Sequence, residues 1–123
     1  MKNPRETFAQ TVVELVTARP DLALVYADIS GQYFGDSEKT YPDRVVNVGI
    51  REQLMINVGA GLALTGIRPI MHTFTPFLID RAFEQIKLGF NHQELGGVLV
   101  GYGGSYDQPH YGRTHHSPGD VAL

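Results

Sequence analysis

Cysteine is absent from this chain of 123 residues, which excludes disulfides and cysteine-based zinc sites and is compatible with the cytoplasm. Long apolar runs are also absent, because no stretch reaches the roughly 18 residues that a membrane-spanning helix needs. Charge of one sign does not dominate either, and the formal net charge is −3. That balance indicates no broad basic face for nucleic acid or for an anionic membrane. We therefore expect a cytoplasmic protein that binds neither.

What the chain does contain is an alternation of apolar segments that predicts helices and strands in turn. Continuous apolar runs of strand length, such as residues 22–27, are typical of strands covered on both faces. Longer segments with apolar residues at helical spacing predict helices, the first capped by Asn3 and stopped by Pro20. After that helix we predict a strand at 22–27, a loop with one short turn at 30–44, a strand at 45–48, a helix at 51–64, a strand at 67–73, a helix at 76–91, a strand at 97–102 and a loop from 103.

The alternation of helices and strands with short gaps indicates one layered α/β/α domain with a largely parallel sheet. In such sheets ligands bind beyond the carboxyl ends of the strands. The core stripe of the last predicted helix comprises Ile79, Ala82, Phe83, Ile86 and Phe90. The segments that follow strand ends, and where we expect a site, begin at Asp28, Gly49, His72 and Gly103.

One carboxylate, Glu52, stands in the first turn of a predicted helix that is otherwise almost free of charge. A helix N-terminus favours an acid by about 0.3–1 kcal/mol, so one interpretation is an ordinary helix-start acid paired with Arg51. The apolar surroundings favour a second interpretation, because a buried carboxylate needs a partner or takes up a proton. A ligand nitrogen that shares the proton would be such a partner.

Several segments resemble the pyrimidine-binding domain of thiamine diphosphate enzymes of the transketolase group. They are GIREQ at 49–53, followed by GAGLA at 59–63, and TFTPF at 73–77, followed by RAFEQI at 81–86. The resemblance runs from about Arg5 to Leu123 and is nearest to the separate C-terminal subunit of split transketolases. It implies that residues 1–123 are a pyrimidine-binding domain of the thiamine diphosphate-binding fold. It also implies the transfer of two-carbon ketol units between sugar phosphates.

The resemblance assigns roles to four residues at the cofactor. It implies that Glu52 is catalytic and hydrogen-bonds N1′ of the aminopyrimidine ring, and that Phe74 and Phe77 pack on that ring. We favour Phe77 for the stacking; the alternative for both is an ordinary place in the core. Asp28 takes the place of an aspartate near the cofactor and the domain contact, and the alternative is an aspartate that makes a turn.

A second catalytic residue, His115, is implied by the resemblance of Gly112–His116 to the family's Gly-Pro-Thr-His-Gln segment, whose histidine meets substrate oxygens. A histidine suits that role because its pKa lies near neutrality. The family's acidic Gly-Glu-Asp-Gly is replaced here by Pro109–Gly112, so the sugar specificity and the reaction are open. The alternatives are a flexible surface loop, or a metal pair formed by His110 and His116.

The resemblance also implies a partner, because one motif of the family is missing from this chain. The family's diphosphate-and-magnesium motif, Gly-Asp-Gly with a distant Asn, has its nearest match at Gly35-Asp36-Ser37, which is wrong at the third place. We therefore expect a partner chain or domain to hold the diphosphate and Mg²⁺, in a homo- or hetero-oligomer. The helix at 51–64 is apolar nearly all round, which is typical of a subunit contact. We also expect the domain to be incomplete, since residues 121–123 resemble the start of a helix.

Three other functions stay open at this point. Deoxyxylulose phosphate synthase and the β subunit of 2-oxoacid dehydrogenases also use the glutamate, so Glu52 does not separate them from a transketolase. A non-catalytic interaction module that kept the fold is the second alternative, supported by the altered loop at Pro109–Gly112. The third is a histidine metal-binding module.

Overall fold

The computed structural model describes residues 3–123 and contains one sheet of four parallel strands. The strands are β1 (Leu22–Tyr26), β2 (Val45–Asn47), β3 (Arg68–Phe74) and β4 (Val98–Tyr102). Their order across the sheet is β2-β1-β3-β4, and Leu24 of β1 pairs with Val45 on one side and Ile70 on the other. Every residue of β1 is buried, as its continuous apolar run predicts.

Helices cover both faces of the sheet, so the predicted layered α/β/α fold with a parallel sheet is confirmed. The helices are α1 (Pro4–Ala18), α2 (Gly35–Thr40), α3 (Glu52–Leu64) and α4 (Phe83–Ile86). The α1 helix begins as predicted, because the Asn3 side chain accepts a hydrogen bond from the Arg5 backbone N–H. It packs with Leu24 on one face, whereas α3 packs with Val25 on the other. Successive residues of β1 thus pack against helices on opposite faces of the sheet.

The predicted loop at 30–44 is wrong, because this segment contains a 3₁₀ turn at Gly31–Tyr33 and the helix α2. Between them lies Phe34, which is fully buried and packs on Tyr26 with ring centroids 4.9 Å apart. The Tyr26 hydroxyl donates a hydrogen bond to the Glu38 carboxylate of α2. One buried aromatic ring therefore orders a segment whose polar composition indicated a loop.

The helix predicted at 76–91 is not continuous, because π-helical turns at Phe77–Arg81 and Lys87–Asn91 flank the short α4. A π turn holds more residues than an α turn and rotates the residues that follow it. The core stripe changes accordingly: Leu78 is buried, whereas Phe83, which the regular helical spacing placed inside, is 41% exposed.

The apolar helix α3 is covered on only one side within residues 3–123. Met55, Ile56 and Ala60 are buried against the sheet, whereas Leu54 is 39% and Leu64 is 62% exposed. No helix among the described residues is long and apolar enough to cross a membrane. The residues after Ser117 form turns, and the Leu123 N–H donates to the Gly119 carbonyl oxygen at 3.2 Å.

Two glycines of α3 provide a matched test of this packing. A Cβ at Gly59 would lie 2.4 Å from Sδ of the buried Met71, whereas a Cβ at Gly61 would meet nothing within 4 Å. Both Gly→Ala changes gain helix propensity, but only Gly59→Ala overfills the core, at a cost of about 1–3 kcal/mol. Urea unfolding should therefore give Gly59→Ala the lower stability by about that difference. Equal stabilities would contradict the close contact between α3 and β3.

Candidate cofactor site

A cavity of about 520 Å³ opens where β1 and β3 end and α3 begins. All five residues singled out from the sequence line it: Asp28, Glu52, Phe74, Phe77 and His115. Its size lies within the roughly 300–1,000 Å³ of small-molecule sites. The fold thus brings together side chains that lie up to 87 positions apart (115 − 28) in the sequence.

Glu52 is the first residue of α3 and is only 1% exposed. One carboxylate oxygen, Oε1, accepts from Thr73 Oγ1 at 3.0 Å, and the other, Oε2, accepts from Arg81 Nη1 at 2.6 Å. Arg51 is not its partner, since the Arg51 guanidinium donates to the Val48 carbonyl oxygen at 2.7 Å. The interpretation of Glu52 as a helix-start acid paired with Arg51 is therefore wrong in its partner, and the burial of Glu52 agrees with the second interpretation. Its catalytic role stays a prediction.

Arg81 was not among the site residues predicted from the sequence. Arg81 ends the π-helical turn Phe77–Arg81, and its guanidinium lies over the Phe77 ring with Cζ 4.1 Å from the ring centroid. The same guanidinium bonds Glu52, so one cation contacts both the acid and the aromatic wall of the cavity. A buried carboxylate needs a hydrogen-bond donor, and α3 contains no charged residue besides Glu52. This need was the signal in the sequence that pointed to a cation such as Arg81.

Aromatic rings form one wall of the cavity. Phe74 and Phe77 meet edge to face with centroids 5.9 Å apart, and the His115 ring lies 5.1 Å from each. Tyr111 packs on His115 at 4.7 Å. His115 belongs to a 3₁₀ turn at Arg113–His115 and is half-buried, so it is fixed in the wall and does not lie on a detached surface loop.

Asp28 lies at the cavity mouth in the left-handed region, with φ 65°. Its backbone N–H donates to Asn47 Oδ1 at 3.1 Å, and the same oxygen accepts from the Gly49 N–H at 2.9 Å. Asp28 therefore makes a turn, as the alternative predicted, and also lines the cavity. Asn47, which joins the ends of β1 and β2, was not predicted as a site residue.

The histidines offered as a metal pair contact different tyrosines. The His110 ring packs on Tyr111 at 4.3 Å, and the His116 ring packs on Tyr106 at 5.3 Å. Within residues 3–123 no group of three or more His, Cys, Asp or Glu side chains lies together as a metal site would require.

Comparison with known proteins identifies the family of this chain. Residues 2–123 match the family described as "Transketolase, pyrimidine binding domain". The chain belongs to this family. The fold class and the resemblance stated from the sequence are thereby confirmed, and membership implies dependence on thiamine diphosphate.

Three relatives place the pyrimidine-binding domain within longer proteins. An uncharacterized 33.6 kDa protein in the fasciation locus of Rhodococcoides fascians is 44% identical over 116 residues, which are 94% of this chain and 37% of that protein. One subunit of the apulose-4-phosphate transketolase of Phocaeicola vulgatus is 31% identical over 120 residues, 97% of this chain and 38% of that one. A solved split gene transketolase, an inactive beta4 tetramer, matches with a TM-score of 0.77 at 30% identity, over 96% of this chain and 38% of that one. The chain thus spans well under half the length of these relatives.

The side chains of the pyrimidine-binding domain fit the ring half of thiamine diphosphate. A buried carboxylate suits a ring nitrogen that carries or shares a proton, and aromatic faces suit a flat heterocycle. The nearest match to a diphosphate motif does not join this site. Asp36 lies in α2, is exposed, and pairs with Lys39 at 3.4 Å.

A second polar group, formed by His72, Ser30 and Arg5, lies beside the cavity of the pyrimidine-binding domain. His72 is 2% exposed, and its Nδ1 lies 3.0 Å from the Val100 carbonyl oxygen, which only accepts, so Nδ1 carries the proton. His72 Nε2 then accepts from Ser30 Oγ at 3.0 Å, and Ser30 Oγ accepts from Arg5 Nε at 2.9 Å. Burial lowers the pKa of His72, and the Arg5 charge lowers it further.

This lowered pKa predicts a loss of stability in acid. Below the ordinary pKa of 6.5 the unfolded chain binds a proton at His72 that the folded chain does not bind. The free energy of unfolding should therefore fall as pH drops from about 6.5, by up to about 1.4 kcal/mol per pH unit for one proton. Urea unfolding should show a shallower fall for His72→Gln, whereas His92→Gln, at an exposed position, keeps the wild-type slope. Equal slopes in the two variants would contradict the argument.

Proposed function

We propose that this chain is the ring-binding half of a transketolase-type enzyme that moves two-carbon ketol units between sugar phosphates with thiamine diphosphate. The observation that carries the proposal is the Glu52 carboxylate, 1% exposed, at a cavity with an aromatic wall. When bound, the cofactor supplies the carbanion chemistry, and the protein supplies position and proton control.

Each predicted residue has a distinct task in this proposal. Glu52 shares a proton with N1′ of the ring, and the Thr73 hydroxyl holds the carboxyl in place through Oε1. Phe74 and Phe77 exclude water from the ring and give it a flat apolar contact, worth about 0.5–1.5 kcal/mol beyond area burial. His115, fixed against both phenylalanines, donates to a substrate oxygen.

Asp28, at the mouth of the cavity, contributes to the contact between the cofactor and a second polypeptide. In the proposal that polypeptide is a partner chain or domain that holds the diphosphate and Mg²⁺, and residues 1–123 are one domain of a larger assembly. The relatives named as one subunit of a transketolase and as a split gene product support a divided enzyme.

The exposed apolar side of α3 supports an oligomer, because large apolar side chains left in solvent mark contact surfaces. Leu54 on this side is 39% exposed. We propose that a partner subunit or a second copy of the chain covers it.

Glu52→Gln tests the proton role. In a complex with a chain that carries the diphosphate site, the variant should lose at least about 100-fold in hydrogen–deuterium exchange at the cofactor C2 atom, because an amide does not share a proton as a carboxyl does. Glu84→Gln, an exposed glutamate of α4, serves as the control and should exchange at the wild-type rate. Thermal unfolding monitors the fold of both variants. Wild-type exchange in Glu52→Gln would refute the role.

Product analysis on the same complex separates the alternatives. Turnover of ketose phosphate donors supports the transketolase assignment. Turnover of pyruvate alone would overturn it in favour of a synthase or dehydrogenase subunit. Cofactor binding without turnover of either donor would favour the interaction module.

Two leucines of equal exposure test the assembly surface. Leu54 on α3 and Leu15 on α1 are both 39% exposed. Leu54→Lys places a charge in the proposed contact and should lower the sedimentation-derived molar mass of the assembly, whereas Leu15→Lys should leave it unchanged. Assemblies of the same mass in both variants would exclude the α3 surface from the contact.

A further inference from the structure

The geometry points to Arg81 as a displaceable counter-ion of Glu52. We propose that the guanidinium and the pyrimidine ring compete for the same two contacts, so that a binding ring drives Arg81 away from Glu52. As Arg81 leaves, the Glu52 carboxylate takes up one proton from solvent and shares it with the ring nitrogen. The proposal rests on the proposed function, since it concerns the same ring site.

The first shared contact is Glu52 Oε2. Thr73 already donates to Oε1 at 3.0 Å, and Arg81 donates to Oε2 at 2.6 Å. Because the carboxylate is 1% exposed, a ring nitrogen reaches it only from the cavity side, which is the side that Arg81 occupies. With the Thr73 bond kept, a ring nitrogen that approaches from the cavity meets the Arg81 guanidinium at Oε2.

The second shared contact is the face of Phe77. The guanidinium carbon of Arg81 lies 4.1 Å from the centroid of that ring, within the range of a cation–π contact. A flat heterocycle stacked on the same face needs the same layer of space. Phe77 therefore does not hold the guanidinium and the ring on that face at once.

Arg81 is placed so that it can leave. Its side chain is 36% exposed, in contrast to the 1% exposure of Glu52, so outward rotation hydrates the cation and does not bury it. Its backbone lies at the end of the π turn Phe77–Arg81, next to Ala82 with φ −112° and ψ 13°, outside regular helix. The buried acid is fixed, and the cation is the member of the pair that moves.

A change of protonation follows from this difference in burial. With Arg81 in place, the charge of the Glu52 carboxylate is paired at 2.6 Å and hydrogen-bonded. Without it, a carboxylate buried beside a hydroxyl and a neutral ring is an uncompensated charge, which a proton neutralises. Arg81 is thus a positioning residue that acts through Glu52 and links ring binding to proton uptake.

Carbon-13 NMR of the Glu52 carboxyl and nitrogen-15 NMR of the Arg81 side chain test this in the whole chain. The probe is thiamine, which has the ring but no diphosphate and so does not need the partner's site. In the wild type, thiamine should move the Arg81 Nε–Hε signal and shift the Glu52 carbon toward its protonated value.

Three variants sharpen the test. In Arg81→Met the Glu52 carbon should lie near its protonated value at pH 7 before thiamine is added, and the Kd for thiamine should fall about tenfold, because no cation competes. Arg81→Lys keeps the charge but not the planar stack, so Glu52 should stay ionised while thiamine binds more tightly than to wild type. Arg68→Met removes an exposed arginine from the far end of β3 and should change neither signal.

Each contrary outcome has its own meaning. A Glu52 carbon that stays at the ionised value in Arg81→Met overturns the counter-ion role and leaves the proposed function standing. Thiamine that shifts Glu52 without moving the Arg81 signal overturns the displacement. The last outcome concerns the ring site itself. If a large excess of thiamine perturbs neither the wild type nor Arg81→Met, although the Arg81→Met substitution alone has already moved the Glu52 signal, the ring site and with it the proposed function are refuted.

Discussion

The cavity depends on one buried carboxylate that has a donor on each oxygen. Glu52 lies at the start of α3, Thr73 near the end of β3 and Arg81 at the end of the π turn that follows β3. A carboxyl group with 1% exposure stays in place only where such donors offset its lost hydration. The need for both donors therefore constrains where α3 begins and how the chain turns after β3. The aromatic wall is set by the same curve, since Phe74 and Phe77 lie between Thr73 and Arg81.

Much of this arrangement follows from local sequence pattern. Unbroken apolar runs predicted buried parallel strands, and the carboxyl ends of parallel strands meet at one edge of the sheet. That rule alone explains why Asp28, Glu52 and Phe77, from three separate segments, reach one cavity. The cap at Asn3 was predictable because it needs only a side chain and an N–H two residues away.

What the pattern did not predict depends on contacts between distant residues. Helix α2 forms beside the buried Phe34, although its own residues have the composition of a loop. Arg81 and Glu52 are 29 positions apart, and Ser30 and His72 are 42 apart, so no periodicity signals either pair. The π turns shift the helical phase, and Phe83 consequently faces outward. For α2 and for the two side-chain pairs, a contact between residues distant in the sequence determines the local arrangement.

The amide of Asn47 ties two loops beside the cavity to each other. Its single oxygen accepts from the backbone of both Asp28 and Gly49, which each have a positive φ. The loops that follow β1 and β2 are thereby held together by one side chain. Because both donors are backbone N–H groups, the contact does not depend on the side chains of either loop, and loss of the one amide oxygen would release both loops together.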